Sequence, residues 1–277
     1  SNSYNIKTGS IALQKLWEIP EDEDAALPYE IYLNLYRSVV APSYTKTNAP
    51  YTDNDPSGSL ENGKPKYMTD YARLLQHSLY FYDANMCGTD VAENSALAWR
   101  TNCHVEDEVP GGYHDAGDHV MFGLPQGYTA SMLGWSYYEF FKENVLTNDT
   151  KPETPTGNTH KMFKSEDEHL KTILKHFYDF FVNSVKYDED GKIKEILVQK
   201  GFGYTDHVIW CAPEIQTNRA KEMIWKSSEG SNIAAQYAGA LALGYLNFPN
   251  DPDASNYLKV AEDLYEFANR TSPFKAG

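Results

Sequence analysis

The chain has 277 residues, 24 Lys and Arg against 39 Asp and Glu, a formal net charge of −15, and a composition 41% hydrophobic and 14% aromatic. That aromatic content excludes an intrinsically disordered chain, and the length accommodates one large or two modest domains at roughly 150 residues each. The acid excess argues against nucleic acid or an anionic membrane as partner, since Lys and Arg are scattered with no run to override the overall field.

Residues 1–66 carry an acidic run, Glu21 to Asp24, and a turn-rich tract from Thr52 to Ser59, with one helix expected over Pro28–Val40. They read as an N-terminal extension or the end of a preceding module. No charged-then-apolar pattern marks a signal peptide at Ser1–Tyr4. From Tyr67 the pattern turns helical. Tyr71, Leu74, Leu75, Ser78, Leu79 and Tyr82 recur at helical spacing, predicting about five turns. A second helix is expected after Pro125, carrying Met132, Leu133, Tyr137, Phe140 and Phe141. The loop Thr147–Lys164 leads to a capping box, Ser165 with Glu168, followed by Leu170, Ile173, Leu174, Phe177, Phe181 and Val185. Ile193–Val198 is a short strand candidate. Two helices close the chain, Ser231–Phe248 and Asp253–Asn269, and the short link Pro249–Pro252 makes them antiparallel neighbours. The small residues Ala234, Ala235, Ala238, Gly239 and Ala242 would allow close helix approach. An all-α protein built from helical hairpins follows. No window approaches the ~20 unbroken apolar residues of a membrane span, because Val120–Phe141 and Ile233–Phe248 are interrupted by Pro125, Gln126, Glu139, Gln236 and Asn247.

Three cysteines are no disulfide framework. Cys87 and Cys103 flank a short loop and either pair in an oxidising compartment or stand as buried thiols. Asn148-Asp149-Thr150 and Asn269-Arg270-Thr271 are sequons compatible with secretion. Neither Asp53–Lys64 nor the turn at Asp188–Gly191 has the outer ligands of a calcium loop.

One segment carries chemistry: Gly111-Gly112-Tyr113-His114-Asp115-Ala116-Gly117-Asp118-His119. Two carboxylates three apart on a tight turn admit three readings. The turn caps the following helix; or His114, Asp115, Asp118 and His119 ligate a metal that activates water; or Asp115 and Asp118 jointly hold and deprotonate a water without metal, while a distant acid protonates the leaving group, as in inverting glycosidases. A second cluster, Tyr204 to Glu214, combines Trp210 with Asp206 and His207 in a loop, a set that can stack on a pyranose face and satisfy hydroxyls.

Gly111–Pro125 closely resembles the signature of glycoside hydrolase family 9, the inverting endo-β-1,4-glucanases and related cellulases. The likeness runs in order through Leu79–Ala84, Ala98-Trp99-Arg100, Asp206–Glu214 and Gly230–Ala235, across Tyr67–Phe267. It implies an (α/α)6 barrel, of which residues 67–277 would be the N-terminal part, about half. It also implies a secreted enzyme acting on β-1,4-glucan with inversion. Carried over by position, Asp118 matches the general base, Asp115 its partner on the attacking water, His207 a sugar-binding histidine and Trp210 a subsite aromatic. No metal ligand is implied in this chain and no cofactor is required for the chemistry; structural calcium and the acid, a glutamate, are expected in the later part. Glu214 does not match that acid. The exposed faces of half a barrel call for a complementary chain or the C-terminal half of the same module. A non-catalytic glycan-binding or scaffold piece is the rival expectation for the isolated chain. Cys211 stands where glycine is usual, and Gln236-Tyr237 where glutamate and a small residue are.

Overall fold

The computed structural model describes residues 71–142, 163, 166–216 and 218–275, with the short hairpin strands β1 (Leu60–Glu61) and β2 (Lys64–Pro65). The expectations for the acidic run, Pro28–Val40, the calcium-like tract at 53–64, the loop sequon at Asn148 and the Ser165 cap lie outside or only partly within these residues. Six helices follow: α1 (Tyr71–Asn85), the single turn α2 (Val91–Asn94), α3 (Gly123–Tyr137), α4 (Glu166–Asn183), α5 (Ser231–Asn247) and α6 (Ala254–Arg270).

Helix α3 begins on Phe122, whose extended backbone starts the turn, and takes Pro125 at its third position, where a missing N–H costs no helix bond. A π-helical turn (Tyr138–Lys142) ends it. Its buried side is Gln126, Gly127, Ala130, Gly134 and Tyr137, while Leu124, Tyr128, Met132 and Trp135 are exposed. Met132 is thus not on the core face. The expected small face of α5 is split likewise: Ala234 and Ala238 are buried, whereas Ala235, Gly239 and Ala242 are exposed. A helix apolar on every side is one that wants burial on every side.

The core forms where α4 meets α3 and α5. Phe181 stacks on Tyr237 at 4.2 Å between ring centroids, and the Tyr237 hydroxyl donates to Leu197 O at 3.2 Å. Tyr237 therefore fills the interior, opposite Gly123, where a Cβ would lie 2.4 Å from its hydroxyl. Helices α5 and α6 pack as antiparallel neighbours, as their short link predicted. Buried Asp83 of α1 and His169 of α4 meet at 2.7 Å, tying the first helix to the bundle.

The strand expected at Ile193–Val198 is present, and it centres a four-stranded antiparallel sheet set among the helices of the expected all-α class. Its centre is β5 (Ile193–Lys200), with β6 (Met223–Lys226) along one edge and β4 (Val185–Tyr187) and β3 (Met121–Phe122) end to end along the other. Val185, expected on the helix, opens β4. These partners are two to four residues long, too short to show alternation, and gain their order from pairing with β5. Pairing of Met121 with Lys200 and Phe122 with Gln199 brings the segment after Asp118 beside the start of the loop that carries His207 and Trp210.

Candidate active site

The bend at 111–120 is anchored at both ends. His114 N–H donates to Asn85 O at 2.9 Å, Cys87 N–H donates to Gly112 O at 3.0 Å, and Asp115 N–H closes the bend on Val120 O at 3.4 Å. Asp118 is buried, its Oδ1 accepting from Val120 N–H at 3.1 Å and its Oδ2 lying 2.5 Å from His207 Nδ1. Asp115 is more open. Burial raises its carboxyl above the ordinary value, and the neighbouring Asp118 charge adds to that rise. The helix-capping reading finds no support, since no side chain caps α3.

Trp210, with 68% of its surface exposed, lies directly on this bend. A Cβ on Gly117 would sit 2.4 Å from Trp210 Cζ3, so only glycine lets the indole approach between the two aspartates. The His207 side chain is 62% exposed while its Nδ1 faces Asp118. Asp115, Asp118, His207 and Trp210, drawn from two distant stretches, thus meet at one junction on which Trp210 and His207 are exposed. Burial alone would raise the Glu214 carboxyl, but Arg100 Nε, donating at 2.6 Å, and Thr101 N–H outweigh it and hold it low. It is a structural anion, unsuited to donate a proton.

The metal set His114, Asp115, Asp118 and His119 is not assembled. His114 Nε2 lies 3.9 Å from Cys103 Sγ, and His119 Nε2 lies 3.7 Å from Cys211 Sγ. All three cysteines are free, so Cys87 and Cys103 are thiols. The structure instead brings together Cys87, Cys103, His104 and His114, one donor atom from each lying within 4.8 Å of the others. Tetrahedral zinc with Zn–S of about 2.3 Å and Zn–N of about 2.0 Å spaces neighbouring ligand atoms by roughly 3.5 Å. Cys87 Sγ is 3.5 Å from His104 Nδ1, and Cys103 Sγ is 3.9 Å from His114 Nε2. Burial, then the Arg219 charge, lowers His104 to about 4, and burial lowers His114 strongly, leaving both imidazoles in the neutral ligand form. Gln216 Oε1, 2.8 Å from His104 Nε2, orients that ring as an outer-shell partner does. The sequence reading does not single out these four donors as a set, yet two thiols and two imidazoles are the residue types that hold zinc. Its role there would be to staple the loop at 103–104 to the base of the aspartate bend. Zinc added to chelator-stripped, reduced protein is expected to raise the thermal midpoint by several degrees and to protect Cys87 and Cys103, but not Cys211, from alkylation. Unprotected thiols and an unchanged midpoint would contradict this.

The family model for glycosyl hydrolase family 9 matches residues 71–276. The chain belongs to glycosyl hydrolase family 9. Endoglucanase 4 of Bacillus sp. (strain KSM-522) is 32% identical over 224 residues, covering 76% of this chain and 31% of that protein. Endoglucanase B of Cellulomonas fimi is 33% identical over 209 residues, covering 72% and 18%. Among solved structures, the catalytic domain of Clostridium thermocellum CelT matches with a TM-score of 0.63 and 34% identity, over 74% of this chain and 45% of that one. The cellulase Cel9M of C. cellulolyticum matches with a TM-score of 0.59 and 35% identity, over 75% and 45%. This family 9 chain thus spans a third or less of those two curated relatives and under half of the two solved chains.

Proposed function

We propose that this chain carries the water-activating part of an endo-β-1,4-glucanase site that cleaves cellulose or a related β-glucan with inversion. The reading rests on one arrangement: two aspartates on a glycine bend, Trp210 against that bend, and His207 on the buried aspartate. A pyranose stacked on Trp210 would lie over the carboxylates. Asp118 then takes a proton from water as the water attacks the anomeric carbon, while Asp115 holds the same water. Three residues on one bend are too close for these two to be the separated acid and base of an inverting pair, which stand ~6.5–9.5 Å apart. The acid is therefore placed in the family sequence that the match does not reach, and structural calcium with it.

The helices are read as the first half of an (α/α)6 barrel, residues 1–66 lying outside the catalytic module. The exposed apolar faces of α3 and α5 support this, because Leu124, Tyr128, Met132 and Trp135 would be covered by the remaining helices. An insoluble polymer cannot enter a cell, which places the activity outside it, and no helix among the described residues is long and apolar enough to cross a membrane. Incubated alone with a soluble cellulose derivative, this chain is expected to release almost no new reducing ends, whereas a protein joining it to the rest of the family module cleaves. Full turnover by the isolated chain would put the acid within it; no cleavage by the joined protein would remove the proposed activity.

A further inference from the structure

Resting on that reading of Asp118, we propose that Arg219 is a positioning residue that clamps together the two backbone segments bearing Asp118 and His207. The pair itself has little else to hold it. Its two residues are 89 positions apart, and the His207 side chain is 62% exposed. Contact at 2.5 Å between groups on two loops requires the loops to be fixed from behind, since an exposed side chain otherwise keeps its rotamer freedom.

Arg219 supplies that fixing. Its Nη1 donates to the backbone carbonyl of His119, the residue after Asp118, and lies 3.4 Å from Oδ1 of Asp206, the residue before His207. Its Nη2 lies 3.2 Å from Asp107 Oδ2, which anchors the guanidinium to the buried interior. A backbone bond from His119 N–H to Asp206 O, at 3.5 Å, closes the same junction. Asp206 is fully buried and orders its own loop: Oδ2 accepts from Phe202 N–H at 2.6 Å, and Oδ1 accepts from Gln216 Nε2 at 2.8 Å.

The neighbouring backbone is shaped to admit this contact. Gly201 has φ of +88°, and a Cβ there would meet Arg219 Nη1 at 2.9 Å and His119 O at 3.0 Å. With only 5% of its side chain exposed, Arg219 does not reach substrate. It acts through the two loops. A planar fork that serves two carboxylates and a carbonyl at once cannot be replaced by the point charge of lysine.

The test uses the protein in which this chain is joined to the rest of its module. Arg219→Lys is expected to lower kcat by roughly 10–100-fold, the cost of misplacing a catalytic group by about an ångström, with KM changed less than threefold. Arg219→Ala is expected to regain activity in millimolar guanidinium but not in equal ammonium. A purely structural role would lower the thermal midpoint and leave kcat of the folded protein intact. Should Arg219→Ala fail to fold, Arg219→Lys decides: a folded lysine variant with kcat within twofold of wild type overturns the proposal. Asp118→Asn measured alongside separates the two claims. If it stays active, the reading of Asp118 fails; if it is inactive while Arg219→Lys is fully active, only the clamp fails.

Discussion

Asp118→Asn, in the protein carrying the whole module, is expected to depress kcat by about 10²–10⁴-fold with KM nearly unchanged. The substitution is nearly isosteric, and its amide oxygen still accepts from Val120 N–H, so the bend survives. What disappears is the ability to take a proton from water. The same variant carries a second signature. Burial first, and the Asp118 charge second, raise Asp115 above its ordinary value. Removing the charge relieves the second contribution, so Asp115 titrates at lower pH in Asp118→Asn, and the acid limb of the residual rate moves the same way. The raised carboxyl also has a stability consequence. The folded state binds the Asp115 proton more tightly than the unfolded chain does, so its contribution to stability is greatest at low pH and is lost as pH rises through the folded value. At neutral pH the charged side chain opposes folding, and Asp115→Asn should raise the thermal midpoint while lowering activity. A lowered midpoint would mean that Asp115 is held by favourable contacts instead.

The second large effect is on stability. Asp107 has no exposed side chain and lies 3.1 Å from Lys200 Nζ and 3.2 Å from Arg219 Nη2. Lys200, also fully buried, donates further to the Gly111 carbonyl at 3.1 Å and lies over the Phe180 ring. Asp107→Ala leaves buried Lys200 without its anion and Arg219 with Asp206 alone, a change that typically costs about 3–5 kcal/mol. Chemical denaturation of the variant should show a loss in that range. The paired change Asp107→Leu with Lys200→Met should recover much of it, since apolar groups of similar volume can replace a buried ion pair. A single-variant loss below about 1 kcal/mol would place these charges in contact with water, as exposed pairs are.

What the sequence makes legible depends on contiguity. Asp115 and Asp118 are three apart on one bend, so their partnership can be read without a fold. The α5–α6 hairpin is equally plain, because Pro249–Pro252 leaves those helices no other arrangement. His207 and Trp210 are legible as an aromatic and a hydrogen-bonding group in one polar loop, and again in the resemblance to a family segment; nothing local to them reports that Gly117 lies beneath the indole. The Cys87, Cys103, His104 and His114 cluster was missed for the opposite reason. Its donors come from three segments with no repeated spacing, and only the adjacent Cys103-His104 hinted at it. Arg219 carries no signal in one dimension, being a single charge among many in a chain of net charge −15, and Asp206, legible in the aromatic loop as a hydroxyl-binding group, is instead fully buried and bonded within that loop. The small face expected on α5 is split because that helix is apolar around most of its circumference, and periodicity cannot rank two apolar faces.

The central claim is that water, activated by Asp118, attacks the sugar directly, with no bond between glucan and protein. Proton NMR of the first products released from a cello-oligosaccharide by the module-containing protein tests this most directly. Direct attack predicts that the α-anomer appears first and that the β-anomer grows in only by mutarotation. If the β-anomer appears first, a covalent intermediate intervenes and Asp118 is not the base described here.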